Sequence, residues 1–403
     1  MNYAIIVQVS DIGLVLSELK RIIAERWDRE MSVVRFTNEE MAVMSLSSLY
    51  AGYGFRQFKM SKFEEYDLYA ENKDFLLGSS VITFTDTNGK LMALKPDVTL
   101  SIVKSVGDTH LNTEKVYYSE NVYRVDKGTH QYKELMQVGL ECIGDIDMYS
   151  LSEVVLLAKK SLCEISDRNI LDISHMGFLN GLLDETKLSD KQRAVVIGYI
   201  REKNTVAIEQ ICSDCFIDEK IKNALVLLTG MYGPFSMKID ELKAVSCNTT
   251  TDDAVKEMEA IFGFLSSCGC ADGVNIDFSI VSDSGYYNGV VFQGFIDGVP
   301  MGVLTGGSYD NLVHKFGKDA GAVGFAVYLD LLERLMGGDK SYDVDVLLVY
   351  DCDTKLDDIA GAVERIRCDG KSVRAVTSDN GTIKYRQRAE ITNGEVRFYG
   401  SDD

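Results

Sequence analysis

Apolar and polar positions follow two different spacings along the chain, and together they predict a mixture of helices and strands. Residues 38–53 and 148–162 carry apolar side chains three and four positions apart, which is the spacing of amphipathic helices. Residues 80–86 and 91–95 have the composition of strands. The Asn88-Gly89 dipeptide between them predicts a hairpin with a two-residue turn.

Two strand-like runs, residues 116–123 and 136–142, flank a polar loop in the first half of the chain. The first run is rich in Val and Tyr, and the second alternates apolar with polar side chains, which predicts an antiparallel hairpin. On such a hairpin Arg124, Gln137 and Glu141 can share a face, where they offer a cation, an amide and a carboxylate to a small polar ligand. The same side chains also fit the polar face of a half-exposed sheet, and the pattern alone leaves both interpretations open.

The remaining segments predict a core with additions at both ends. Residues 169–245 show helical periodicity and few strand signals, which predicts a helical insertion. Residues 323–338 predict a helix that closes the core, and residues 337–341 predict a linker. The predicted organisation is an atypical N-terminal helical segment of unassigned role at 1–37, a core at 38–336 with the insertion at about 169–245, and a short α/β module at 341–403. Gly370 is the predicted end of the helix in that module.

Composition and charge narrow the class of protein. Hydrophobic residues make up 46% of the chain and charged residues 26%, as in ordinary globular proteins. No apolar run approaches the roughly 20 residues of a membrane span, and the start of the chain lacks the features of a signal peptide, so a cytoplasmic location is expected. Lysines and arginines number 42 against 62 acidic residues, a net charge of −20. A surface of that sign repels phosphate backbones, which argues against tRNA as a partner.

Two cysteine pairs and one glycine pair resemble parts of a zinc site and of a phosphate-binding loop, but the other residues of such sites are missing from the sequence. The nine cysteines predict reduced thiols. The pairs Cys212–Cys215 and Cys268–Cys270 lack the further ligands of a zinc site, so neither a metal nor a cofactor is predicted. Gly306-Gly307 lacks the lysine that follows in a phosphate loop, and a turn is expected there. Surface or packing roles are expected for the four histidines, His110, His130, His175 and His314.

Four segments, in order, resemble the class II aminoacyl-tRNA synthetases in their histidyl version. Residues 123–144 resemble motif 2 of that family, and LKPDVT at 94–99 resembles its L-R-P-[DE]-x-T. YYNGVVFQGF at 286–295 and GGSYDNL at 306–312 resemble its Y-Y-x-x-x-F-E and G-G-R-Y-D-x-L segments. The resemblance implies an α/β (α+β) fold with a class II synthetase-like antiparallel sheet flanked by helices. It also implies a homodimer through the motif 1 region at 55–69.

The resemblance further implies a pocket for histidine or a similar ligand. Its expected residues are Asp97, Thr99, Arg124, Gln137, Glu141, Tyr286 and Tyr287. Asp97 or Glu141 is expected to hold an ammonium or imidazole N–H, and Arg124 a carboxylate. Taken without the resemblance, Tyr286 and Tyr287 are ordinary strand aromatics.

Positions that contact ATP in the family are different in this chain. In the segment that aligns with motif 3, Leu331 stands for an arginine and Tyr328 for a glycine beside the nucleotide. Ser282 and Ser308 stand at two further arginine positions. Guanidinium groups match phosphate oxygens, and each loss is expected to cost about 3 kcal/mol or more of transition-state stabilisation. Aminoacylation is therefore not expected.

A retained amino-acid pocket without phosphate-binding groups resembles the histidyl-synthetase-like regulatory subunits of ATP phosphoribosyltransferase. That resemblance implies a noncatalytic protein that associates with a short catalytic subunit in the first step of histidine biosynthesis and supports feedback by histidine. Free histidine is a candidate ligand, and neither tRNA nor a membrane is an expected partner. Two alternatives stay open: a divergent synthetase-like enzyme and a stand-alone amino-acid-sensing module.

Overall fold

The computed structural model describes residues 37–73, 81–107, 113–125, 130–281, 286–332, 342–392 and 395–399. Residues 39–336 form one compact unit, and a second unit contains residues 337–403. The predicted N-terminal segment up to residue 36, the linker predicted at 337–341 and Ser282 lie outside the described residues. The predicted domain roles stay predictions.

The larger unit contains most of the helices and strands. Its described strands are β1 (Arg56–Gln57), β2 (Phe63–Glu65), β3 (Thr83–Thr85), β4 (Leu91–Leu94), β5 (Glu114–Val125), β6 (Tyr132–Gly144), β7 (Asn169–His175), β8 (Tyr232–Pro234), β9 (Val274–Asp277), β10 (Val290–Ile296), β11 (Leu304–Ser308) and β12 (Gly321–Tyr328). Its described helices are α1 (Asn38–Gly52), α2 (Tyr66–Glu71), α3 (Thr99–Ser105), α4 (Met148–Ile165), α5 (Met176–Asp184), α6 (Asp190–Arg201), α7 (Thr205–Asp214), α8 (Glu219–Gly230), α9 (Phe235–Ala244), α10 (Thr249–Ser267) and α11 (Asp310–Lys315).

Nine strands form one sheet in the order β1-β5-β6-β12-β11-β10-β7-β9-β8. The predicted antiparallel sheet is thus mixed, because β1–β5 and β7–β9 are parallel pairs. The predicted central hairpin is confirmed as β5 and β6. Its register places Arg124 opposite Lys133 and Gln137 opposite Glu120. Since alternate residues of a strand share a face, Arg124, Gln137 and Glu141 lie on one face of the sheet, as expected.

Two segments that the sequence predicted as helical are strands. Residues 169–175 form β7, between β10 and β9, and residues 321–328 form β12, between β6 and β11. Both strands are buried along most of their length. The β12 sequence, GAVGFAVY, is a nearly continuous apolar run, which periodicity does not distinguish from a buried helix. The β7 sequence, NILDISH, carries buried polar residues and shows no alternation that would mark a strand. The helices assigned to the insertion therefore begin at Met176 instead of residue 169.

The Gly306-Gly307 pair lies inside β11, so the prediction of a turn is wrong. A Cβ on Gly306 would lie 2.5 Å from the Phe292 ring and 2.5 Å from the Gly324 carbonyl oxygen. A Cβ on Gly307 would lie 2.7 Å from the Tyr287 ring. These glycines are needed because side chains from neighbouring segments pack directly on the backbone of the sheet.

The hairpin predicted at 80–95 is confirmed, with a different turn. Thr85 pairs with Leu91, and the Asp86 N–H donates to the Lys90 carbonyl oxygen, which leaves a three-residue loop instead of two. Gly89 has a φ of 82°, and Asp86 Oδ1 accepts hydrogen bonds at 2.8 Å from the N–H groups of Asn88 and Lys90. Asp86 therefore sets the turn together with Gly89. The β2, β3 and β4 strands form a small sheet in the order β2-β4-β3.

Helix α4 covers one side of the nine-stranded sheet, where it packs on β6, β7, β10 and β12. Its first turn is fixed by Asp147, whose Oδ1 accepts a hydrogen bond from the Ser150 N–H at 2.7 Å. Helix α10 packs on α4 and α5 as a second layer. The other side of the sheet, which carries Glu141, faces the candidate site.

The smaller unit is an α/β module. It contains β13 (Val344–Val349), α12 (Leu356–Cys368), β14 (Val373–Val376), β15 (Tyr385–Thr392) and β16 (Glu395–Tyr399), with the sheet order β14-β13-β15-β16. Helix α12 ends at Cys368 with Asp369 as its C-cap, one residue before the C-cap predicted at Gly370, and Gly370 follows with a φ of 75°. The sequence did not predict β15 and β16. Across the described part of both units, no helix combines the length and apolarity needed to span a bilayer.

We expect Gly306→Ala to destabilise the larger unit by about 1–3 kcal/mol, because the added methyl group overlaps atoms of three neighbouring residues. Urea denaturation followed by circular dichroism measures the change. The control is Gly263→Ala in α10, where no heavy atom lies within 4 Å of the new Cβ. The free energy of unfolding of that variant is expected to rise by roughly 0.5–1 kcal/mol. An equal decrease in both variants would contradict the packing argument.

Candidate functional site

A small cavity lies on the Glu141 face of the sheet. It is lined by all seven residues that the sequence grouped together, namely Asp97, Thr99, Arg124, Gln137, Glu141, Tyr286 and Tyr287. Seven further residues line it: Tyr118, Thr305, Tyr309, Gly324, Phe325, Ala326 and Tyr328. The structure thus brings the predicted residues into one site, while their role in binding histidine stays a prediction.

Glu141 lies at the centre of this site, on β6, with 2% of its surface exposed. Its Oε1 accepts a hydrogen bond from Thr99 Oγ1 at 2.8 Å, and its Oε2 accepts one from Tyr309 Oη at 2.6 Å. Burial raises the pKa of Glu141 from 4.5 to about 8, and the two hydroxyl donors offset only part of that rise. The carboxyl group therefore titrates near neutral pH.

Glycines beneath the site make room for its side chains. A Cβ on Gly324 of β12 would lie 1.7 Å from Glu141 Oε2, and one on Gly139 of β6 would lie 2.5 Å from the Tyr118 hydroxyl oxygen. Both substitutions would force the carboxyl or the phenol away from the sheet. The carboxyl of Glu141 can therefore lie flat on β12 only because residue 324 is glycine.

Asp97 and Arg124 form the charged end of the site. Asp97 Oδ1 accepts a hydrogen bond from the Leu100 N–H at 3.0 Å, in the first turn of α3. Burial raises the pKa of Asp97, whereas the Leu100 N–H and the charge of Arg124 act in the opposite direction. Arg124 Nε donates to the Pro96 carbonyl oxygen at 3.1 Å, which fixes the guanidinium beside the segment that carries Asp97.

The site offers further polar groups that are not used internally. Gln137 is 3% exposed, and its amide makes no hydrogen bond to another described residue. Thr99 is already bonded to Glu141. A ligand would therefore meet the Gln137 amide and the Arg124 guanidinium first.

Five tyrosine rings fill much of the space: those of Tyr118, Tyr286, Tyr287, Tyr309 and Tyr328. Tyr286 and Tyr287 pack edge to face, with ring centroids 4.7 Å apart. The remaining cavity is about 30 Å³. That volume holds a water molecule or two, whereas binding pockets for small molecules usually measure ~300–1,000 Å³. The site is therefore closed to an amino acid unless a ring moves.

Tyr328 occupies the wall beside Arg124. It pairs with Gln137 across β12 and β6, so its ring projects from the same face as the site. Burial raises its pKa, and the nearby charge of Arg124 lowers it. From the sequence we expected a phenol ring here, at the position of a glycine that lies beside the nucleotide in the family. The structure places that ring in the cavity wall. Leu331, the other altered motif 3 position, packs against the hydrophobic core.

Ser308 was grouped with the altered arginine positions around the site, and this grouping is wrong. Ser308 lies opposite Val323, and Val323 lies opposite Cys142, whereas Glu141 lies opposite Gly324. Because neighbouring residues of a strand face opposite sides, Ser308 projects from the face away from Glu141. Its side chain lines a second cavity.

Tyr118 and Tyr309 are site residues that the sequence reasoning missed. Tyr118 lies in a run of strand residues, where an aromatic side chain usually indicates packing. Tyr309 belongs to the GGSYDNL segment that carried part of the resemblance, so a signal for it was present. Its contact with Glu141 depends on pairing between distant strands and is not visible in the local pattern.

The family model for histidyl-tRNA synthetase matches residues 29–332, which is most of the chain. The chain belongs to the histidyl-tRNA synthetase family. The ATP phosphoribosyltransferase regulatory subunit of Oceanobacillus iheyensis is 24% identical over 373 residues, 91% of this chain and 92% of that protein. The predicted resemblance to this family and to its regulatory-subunit relatives is confirmed.

Solved structures of the histidyl-tRNA synthetase family share the fold. An ATP phosphoribosyltransferase regulatory subunit/histidyl-tRNA synthetase from Bacillus halodurans has a TM-score of 0.75 at 22% identity, covering 89% of this chain and 96% of that chain. The ATP phosphoribosyl transferase (HisG:HisZ) complex from Thermotoga maritima has a TM-score of 0.58 at 20% identity, covering 73% of this chain and 98% of that chain. The class II synthetase-like fold with a helix-flanked sheet is therefore confirmed.

We expect Glu141→Gln to change how stability depends on pH. Between about pH 4.5 and pH 8 the carboxyl of this family member is neutral when folded and ionised when unfolded, so the free energy of unfolding falls as the pH rises through that window. The amide of the variant does not titrate. Its free energy of unfolding should therefore rise relative to that of the wild type by up to about 1.4 kcal/mol for each pH unit across this window. Urea denaturation at several values of pH measures the difference.

The matched control for this experiment is Glu209→Gln, which removes a carboxylate that is exposed on α7. Its stability should follow the wild type across the whole pH range. Parallel curves for the wild type and Glu141→Gln would show that Glu141 is ionised in the folded protein and would contradict the expected titration.

Proposed function

We propose that the chain is a noncatalytic, cytoplasmic regulatory subunit of ATP phosphoribosyltransferase, which works with a short catalytic subunit in the first step of L-histidine biosynthesis and in feedback by histidine. The observation that carries the proposal is the composition of the pocket. It keeps the seven residues expected to recognise an amino acid, while Tyr328 and Leu331 replace nucleotide contacts. The regulatory-subunit relative matched over 91% of the chain supports the same role.

The absence of catalysis follows from the lost phosphate contacts. Adenylate formation needs cationic groups on the phosphates of ATP, and only stabilisation that is specific to the transition state accelerates the reaction. Leu331 offers no charge, and the Tyr328 ring takes up volume beside Arg124. These positions count against the alternative of a divergent synthetase-like enzyme. The net charge of −20 counts against tRNA as a partner.

An association with a catalytic subunit is supported by the fold shared with the Thermotoga maritima complex. A homodimer is proposed through the motif 1 region at 55–69. There Phe63 is 49% exposed, and in the same small sheet Phe84 is 38% and Leu91 45% exposed. The rings of Phe63 and Phe84 pack with centroids 5.4 Å apart. A cluster of exposed apolar side chains of this kind is typical of an interaction surface.

Free histidine is the proposed ligand of the pocket, with its carboxylate on Arg124 and its ammonium or imidazole on Asp97 or Glu141. A cavity of about 30 Å³ does not hold it, so binding requires the Tyr328 ring to move. The energy of that movement lowers the affinity of the isolated protein. A partner that favours the open arrangement would raise it.

Mixing this chain with the short catalytic subunit should give a larger complex on size exclusion. The mixture should form phosphoribosyl-ATP from ATP and phosphoribosyl pyrophosphate faster than either protein alone, and histidine should inhibit it. Coupling between sites typically amounts to ~1–3 kcal/mol, so a several-fold change in rate is the expected scale. Separate elution at micromolar concentration, with no mutual effect on the rate, would favour the stand-alone sensor.

We expect Tyr328→Gly to increase the affinity for histidine, because it removes the ring and restores space beside Arg124. The hydrogen bond between Tyr328 and Thr305 is lost in this variant and in the control below. Isothermal calorimetry with millimolar histidine measures the gain, and circular dichroism verifies that the variant is folded. The matched control is Tyr328→Phe, which keeps the ring and should bind like the wild type. If Tyr328→Gly gives no more heat than Tyr328→Phe, the ring is not the obstacle and the pocket assignment fails.

A further inference from the structure

A second cavity, of about 500 Å³, lies on the side of the sheet that faces away from Glu141. It is formed where β6, β7 and β11 end and where β12 begins, next to the first turns of α4 and the middle of α10. Its volume falls within the ~300–1,000 Å³ of ordinary binding pockets. The pocket with Glu141, at about 30 Å³, is far smaller. The proposed function does not involve this second cavity, and among the described altered positions only Ser308 lines it.

The charged side chains of the second cavity are mainly carboxylates. Four acidic side chains line it, those of Asp145, Glu257, Asp310 and Asp319, together with the imidazoles of His175 and His314. No lysine or arginine is among its described lining residues. A cavity lined by carboxylates and by no lysine or arginine attracts a positive charge and repels a phosphate or a carboxylate.

Both carboxylate oxygens of Asp310 already accept hydrogen bonds from other parts of the protein. Its Oδ1 accepts a hydrogen bond from the Ala322 N–H at 2.7 Å, and its Oδ2 accepts one from Asn288 Nδ2 at 2.9 Å. Asp145 and Asp319, by contrast, are exposed at the rim. The carboxylates that remain available to a ligand are therefore Glu257 on the wall and the two at the rim.

His175 fixes the orientation of Glu257. The imidazole is 6% exposed, and its Nε2 lies 2.9 Å from Glu257 Oε1. Its Nδ1 is buried and has no partner among the described residues, so the proton of the neutral ring belongs on Nε2, which donates to Glu257. Glu257 Oε2 makes no hydrogen bond to a described residue. The structure thus holds one carboxylate in place by one oxygen and leaves the other oxygen to a ligand.

We propose that the second cavity binds a small organic cation, an amine or imidazolium compound without a carboxylate of its own. The positive group binds Glu257 and the rim carboxylate of Asp319, and the ligand remains on the side of the sheet opposite the histidine pocket. A free amino acid is disfavoured, because its carboxylate meets four acidic side chains and no cation. The inference does not depend on the proposed function.

Histamine and histidine form a matched pair of probes, since both carry an imidazole and an ammonium group and only histidine carries a carboxylate. Isothermal calorimetry on the full chain at low ionic strength should show saturable binding of histamine and at least tenfold weaker binding of histidine at the same site. Raising the salt concentration should weaken histamine binding. Glu257→Gln and Asp319→Asn should each weaken it about five-fold.

Two control variants test whether histamine binds in the second cavity and nowhere else on the chain. Glu259→Gln removes a carboxylate on the same helix that pairs with Lys243 at 2.6 Å and does not line the cavity, so histamine binding should be unchanged. Asp97→Asn removes a carboxylate of the first pocket that could hold an ammonium or imidazole, and it should also leave histamine binding unchanged. Asp319 is exposed, so Asp319→Asn should fold normally even if Glu257→Gln does not.

The inference is overturned if histamine gives no saturable heat at millimolar concentration. It is also overturned if Asp319→Asn and Glu257→Gln bind histamine as tightly as Glu259→Gln, or if Asp97→Asn abolishes binding and so assigns the ligand to the first pocket. None of these results affects the assembly with a catalytic subunit. Failure of this inference and failure of the proposed function are therefore separate outcomes.

Discussion

The buried carboxyl of Glu141 is the contact on which the candidate site depends. It joins three parts of the chain that are far apart in sequence: Thr99 at the start of α3, Glu141 in β6 and Tyr309 after β11. A buried polar group without partners would cost several kcal/mol, and the two hydroxyl groups offset part of that cost. The carboxyl also requires glycine at position 324. One side chain therefore constrains a helix, two strands and a turn.

Much of the site could be predicted from sequence, because its residues lie in local patterns that a family resemblance reveals. Arg124, Gln137 and Glu141 share a face by simple alternation on β5 and β6, and the structure has them so. The prediction of secondary structure failed where the order of apolar and polar residues does not distinguish a strand from a helix. The strands β7 and β12 were both predicted as helical: β12 is a nearly continuous apolar run without a period, and buried polar residues interrupt the pattern of β7.

Other features depend on register, which a single sequence does not determine. Ser308 and Gly307 face opposite sides of β11 because side chains alternate along a strand, and the pairing of β11 with β12 decides that Gly307 shares the face of Glu141. The contact of Tyr309 with Glu141 spans 168 residues and depends on the same pairing. A shift of one residue would exchange the two faces, so the site residues cannot be separated from the neighbours that line the other cavity until the register is known.

The Tyr328 ring affects how readily position 328 could return to glycine during evolution. Once a ring fills the space beside Arg124, the neighbouring side chains can pack against it, and protein interiors leave few voids. Restoring glycine would then open a hole that costs on the order of 3 kcal/mol, a large part of the ~5–15 kcal/mol that keeps a domain folded. The change from glycine to tyrosine at such a position is easy to make and hard to reverse, so a ring that has become part of a packed wall tends to be kept.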